Sequence, residues 1–150
     1  MSYYDRTTVR MDHVEGEDLW LVAAPAPPNG AVLTRTEVSA VSIKVYDLTS
    51  DTPDTAVLTV TPALTGNPPG LADDECMFAA LQEDDVWDGP GGYTFFYRIK
   101  DGAYHFEGGR TYLVEVAFTA GHAANLWPQL DDYGTLYRRW KLRVVGVTGA

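Results

Sequence analysis

The sequence predicts an all-β protein, a sandwich or a barrel. Three observations carry this. Apolar residues alternate with period two in five separate segments. Clusters of Gly, Pro, Asn and Asp punctuate the gaps between them. No long segment shows a helical period. Half-buried strands with turn punctuation give this pattern, because successive side chains point to opposite faces of a sheet.

The elements follow in order. Leu19 to Ala23 has the composition of a strand. Ala24 to Gly30 cannot pair within a sheet, because its three prolines lack the N–H donor. Residues 1–30 are therefore expected to be an N-terminal extension with a stiff proline-rich linker, and residues 31–150 the β-sandwich domain. In the next segment Val41, Ile43 and Val45 alternate with Ser42, Lys44 and Tyr46. Ala56, Leu58 and Val60 form a second set. Tyr93, Phe95, Tyr97 and Ile99 form a third, with Thr94, Phe96 and Arg98 opposite. Tyr112, Val114, Val116 and Phe118 form a fourth. The last set is Leu136, Arg138, Trp140, Leu142 and Val144, opposite Tyr137, Arg139, Lys141 and Arg143. Turns fall at Asp51 to Pro53, Gly66 to Gly70, Asp88 to Gly92, Asp101-Gly102 and Gly108-Gly109. Asp73 to Glu83 suits either one or two helical turns or a short strand.

Length and charge narrow the classes. A chain of 150 residues is expected to form one domain. It buries roughly 68–70% of the surface of its unfolded form, so it needs no staple. Cys76 is the sole cysteine, which excludes an intrachain disulfide; it reads as a small buried hydrophobe. Met1 to Arg6 has no apolar core of a signal peptide, and no run approaches the ~18 apolar residues of a membrane span. Eleven basic against twenty-one acidic residues give a net charge of −10. Phosphates and anionic lipid repel such a chain, so neither nucleic acid nor a membrane is an expected partner.

No catalytic constellation is legible. His13, His105 and His122 stand in no Ser-His-Asp or Cys-His context, and His105 reads as structural. There is no zinc spacing, so no metal or other cofactor is expected. Glu83 to Asp88 has oxygens enough for calcium but not the spacing of a calcium loop, and reads as a solvated acidic loop. Phosphate-binding loops are absent. The protein is read as not an enzyme. The aromatic residues are more telling. Trp140 faces the core by alternation, whereas Trp20, Trp87, Trp127 and Tyr133 lie in or beside loops, and Tyr3 and Tyr4 in the extension. Such rings stack on sugars or anchor protein interfaces.

One motif narrows the fold. Phe106 precedes a turn closed by Gly108-Gly109, and Tyr112, Val114 and Val116 follow in register. This resembles the tyrosine-corner strand of fibronectin type III and related immunoglobulin-like sandwiches. Their pattern runs Leu, any, Pro, Gly, Thr, any, Tyr, any, Val, any, Val. Gly108 stands in the proline place and Arg110 in the threonine place. The resemblance implies an immunoglobulin-like antiparallel β-sandwich. In it the Tyr112 ring is buried, and its hydroxyl bonds backbone between Phe106 and Gly109, next to the Gly109 turn.

A second resemblance concerns function. Val45 to Ser50 followed by Asp51 to Pro53 looks like a strand and turn of small structural proteins of tailed bacteriophages. Trp87 to Phe96 is similar to a Trp, Asp, Gly-Tyr, Asn-Phe segment of the same proteins, with Thr94 in the asparagine place. The resemblance spans roughly residues 40–119. It implies a structural virion protein of head, neck or tail, assembled in the host cytoplasm. Its partners would be other virion proteins and copies of itself, docked through Tyr3, Tyr4, Trp20, Trp87, Trp127 and Tyr133. The alternative is a carbohydrate- or receptor-binding module, with Trp87, Trp127 and Tyr133 as a platform for a glycan.

Overall fold

The computed structural model describes residues 8–26, 32–35, 38–64, 76–83, 92–120 and 135–146. These hold eight strands and no α-helix: β1 Thr8–Val14, β2 Leu19–Ala23, β3 Val38–Asp47, β4 Ala56–Val60, β5 Met77–Gln82, β6 Tyr93–Ile99, β7 Thr111–Ala120 and β8 Thr135–Val145. They form two sheets. One has five strands in the order β1-β8-β7-β3-β4; the other has three, β2-β6-β5. Every pairing is antiparallel except β1 with β8, which is parallel.

The two sheets share one core. Val41, Ile43 and Val45 of β3, Val114 and Val116 of β7, and Leu142 of β8 are fully shielded from solvent. Leu21 and Phe95 come from the other sheet and are equally shielded. Phe95 meets Phe118 edge to face at 5.1 Å and lies 6.5 Å from the Trp140 ring. Such rings are the largest apolar bodies available to close the gap between two sheets. The result is a two-layer β-sandwich architecture. Ser42, Lys44 and Tyr46 of β3 point outward, as do Thr111, Glu115 and Thr119 of β7 beside the half-buried Leu113 and Ala117.

Residues 8–23 correct the expected extension. Thr8–Val14 is β1 in the larger sheet, and Leu19–Ala23 is β2 in the smaller one. Leu19, Leu21 and Ala23 are all buried in the common core. The prolines after Ala24 stop pairing, as their chemistry demands, but a stop in pairing is not a domain boundary. Met77–Gln82 is strand β5, so the helical alternative does not hold there. Arg138, in the inward-facing set, turns its guanidinium to the Ala24 carbonyl at 3.4 Å.

The corner before β7 explains its sequence. The Tyr112 ring is 1% exposed and its hydroxyl accepts the Glu107 N–H at 3.0 Å. Phe106 packs on it edge to face at 5.0 Å. Gly109 has φ +83°, a conformation that costs a side chain dearly, and its N–H donates to the Val144 carbonyl at 2.9 Å. At Gly108 a Cβ would stand 2.6 Å from the Gly146 Cα. The close approach of β8's end therefore excludes the proline that the pattern carries there.

Candidate docking surface

The smaller sheet turns an aromatic face outward. Alternation in β2 sends Leu19, Leu21 and Ala23 inward, which leaves Trp20 and Val22 outside. Register then decides their neighbours: Trp20 pairs with Arg98 and Val22 with Phe96. The Trp20 and Phe96 rings lie 5.3 Å apart at 60°. The Arg98 guanidinium sits 5.2 Å over the indole, a cation–π contact. Asp18 holds Arg98 from the other side at 3.7 Å, and its other oxygen accepts the Asp101 N–H at 2.9 Å. Ring contacts continue from Phe96 to Tyr93 at 6.0 Å and from Tyr93 to Phe78 at 5.9 Å. The chain of rings thus crosses all three strands, but Tyr93 and Phe78 are buried, so Trp20 and the half-buried Phe96 are its accessible part.

Trp20 is 49% exposed. A large amphipathic ring held rigid by its neighbours loses little entropy when a partner covers it, which is why Trp anchors interfaces. Among the sequence-derived interface candidates, Trp20 is the one described. Tyr3, Tyr4, Trp87, Trp127 and Tyr133 lie outside the described residues. Tyr112, Gly109 and Trp140 are interior or corner residues, as placed above, with Trp140 6% exposed. Phe96 and Arg98 were missed by sequence reasoning. Phe96 did carry a signal, an aromatic residue on the polar side of its strand's alternation.

Compared with protein-family models, with curated proteins and with solved structures, the chain matches none.

Groups with chemical potential elsewhere have structural partners. The His105 ring nitrogens lie 2.7 Å from Asp101 Oδ1 and 3.1 Å from Glu15 Oε2. These bonds to Asp101 and then Glu15 raise its pKa above the ordinary 6.5. Desolvation, with a hydrogen bond to Tyr112 second, pushes the Tyr104 phenol far above its usual range. His13 is buried with Nε2 3.1 Å from the Glu17 carbonyl, edge-on to Phe106. Cys76 is fully buried. Among the described residues no three His, Cys, Asp or Glu side chains gather as a metal site needs, and no helix is long and apolar enough to cross a membrane. Of the acidic loop from Glu83 to Asp88, only Glu83 is described, and it is exposed.

Proposed function

We propose that this chain is a non-enzymatic, immunoglobulin-like sandwich that serves as a structural component of a bacteriophage particle by docking on other subunits. The exposed, pre-arranged Trp20 on the outer face of the smaller sheet carries the docking role. Strand order supports the immunoglobulin-like class. Assigning β2 to β8 as strands B, C, C′, D, E, F and G gives sheets B-E-D and G-F-C-C′, with β1 beside G. Tyr112, the second residue of β7, then falls at the E–F corner, where such a tyrosine belongs. The phage assignment rests on the likeness of residues 40–119 to tailed-phage structural proteins.

A glycan platform draws less support at this face. Arg98 covers one side of the Trp20 indole, leaving less of the ring to stack on a sugar.

Portal, capsid or tail genes beside the coding sequence are the expected setting. A setting among unrelated metabolic genes would remove the virion role. For docking itself, Trp20→Ala should reduce the mass of the assembly measured by light scattering while leaving the fold intact. An unchanged mass would dismiss the aromatic face.

A further inference from the structure

The outer face of the larger sheet is cationic in an acidic protein. Alternation against the buried residues of β1, β3, β7 and β8 places Arg10, Lys44, Arg139, Lys141 and Arg143 on this face. Asp12 and Glu115 are the carboxylates described there. Each is already engaged: Arg143 grips Asp12 with two bonds of 3.0 and 3.1 Å, and Arg139 holds Glu115 at 2.9 Å. Arg10, Lys44 and Lys141 make no ion pair with any described residue. Five cations against two carboxylates leave this face at +3, while the other six cations and nineteen carboxylates of the chain leave −13.

Arg10 and Lys141 are moreover direct partners across β1 and β8. Like charges at paired positions cost a sheet stability. A local rule broken without internal compensation marks a surface shaped by something outside the fold. A shallow open depression lies between these strands, lined by Arg10, Asp12, Thr111, Lys141 and Arg143.

The complement is at one end of the same molecule. The β1–β2 turn, the β3–β4 turn and the β6–β7 connection meet there. Asp18 accepts the Asp101 N–H, Glu15 meets His105, and Leu48 N–H donates to the Thr111 carbonyl. Residues 15–18, 47–55 and 100–110 together hold eight carboxylates and two Lys or Arg side chains. Glu17, Asp51 and Asp54 are exposed and make no ion pair with any described residue. Three unpaired cations on the face thus answer three unpaired carboxylates at the end.

We propose that the cationic face of one copy docks the acidic end of the next. The inference rests on the docking role proposed above and names its partner, a second copy of the chain. Face and end are different surfaces, so the contact is heterologous and repeats into a ring or an open fibre.

Sedimentation of the full chain at about 50 mM salt should show self-association that weakens toward about 500 mM. Arg10→Glu with Lys141→Glu should weaken it at least about tenfold, as should Glu17→Lys with Asp51→Lys and Asp54→Lys. All these side chains are on the surface, so unfolding midpoints should stay near that of the parent chain. Mixing the two variants pairs a reversed face with a reversed end and should restore association. A chain monomeric throughout at low salt overturns the proposal. Reversals without effect, or a mixture that fails to reassociate, overturn it equally. Association that survives both reversals but is lost in Trp20→Ala keeps the docking role and moves the contact to the aromatic face. Loss of association in the reversals alone, with Trp20→Ala unaffected, supports the cationic face and removes the aromatic one.

Discussion

Arg110 reaches from the turn before β7 to the buried carboxylate of Asp47, with Nη1 2.8 Å from Oδ2. Asp47 closes β3 and is 7% exposed, directly across from Tyr112. Its other oxygen accepts the Thr49 N–H at 3.0 Å, so one side chain holds both the β3–β4 turn and the corner before β7. The Arg110 guanidinium also meets Glu107 at 3.1 Å. A buried carboxylate needs such company, because burial without a partner favours its neutral form and weakens the fold.

Asp47→Ala should therefore cost about 1–3 kcal/mol, the range for losing bonds to groups left partly buried. Asp47→Asn keeps an acceptor for Thr49 and should cost less. Arg110→Ala should exceed the Asn variant, since it strands the charge. Urea unfolding of the three variants measures the order. An Asp47→Ala midpoint equal to that of the parent would show that water satisfies the turn without the carboxylate.

Tyr112→Phe removes the acceptor for the Glu107 N–H and the hydrogen bond with the Tyr104 hydroxyl, and leaves the edge-to-face contacts with Phe106 and Tyr104 in place. The expected loss is about 0.5–1.5 kcal/mol. Tyr112→Ala also empties the space between the sheets and should cost about 3–5 kcal/mol, by analogy with other aromatic deletions. If the Phe and Ala variants unfold at the same denaturant concentration, the ring is not part of the core.

His105 links stability to pH. Its folded pKa is raised by its bonds to Asp101 and Glu15. A raised histidine pKa means the folded state holds its proton more tightly than the unfolded chain. Its contribution is fully present below the unfolded value of about 6.5 and is lost as pH rises through the folded value. Between the β1–β2 turn and the β6–β7 connection, the tie should thus loosen on the alkaline side. Thermal unfolding of the parent chain and of His105→Gln should differ most in acid and converge as pH increases. A gap independent of pH would assign the effect to packing.

Adjacent residues of β2 should behave oppositely. Leu21 is fully buried, and Leu21→Ala should cost about 2–5 kcal/mol. Trp20→Ala should cost about 0.5–1 kcal/mol, the scale of an exposed cation–π contact. Equal and small losses would return Leu19–Ala23 to an extension outside the core.

The periodicity of the sequence determined the strands with one dry face. Val41 to Val45, Tyr112 to Phe118 and Trp140 to Val144 alternate because a two-layer core demands it, and they are buried as the pattern requires. The turn signal at Gly108-Gly109 and the burial of Tyr112 and Cys76 were legible for the same reason: local chemistry and burial act on neighbouring residues. β1 was not legible. Its one buried side chain is His13, and its partner strand is 131 residues away at the Asp12–Arg143 bond. Nothing local records such a pairing. Trp20 meets Arg98 and Phe96, and Arg10 meets Lys141, only through strand register, which long-range hydrogen bonding sets. Both candidate surfaces were therefore decided by the tertiary structure. Alternation tells a residue which face it occupies; only sheet pairing tells it beside whom.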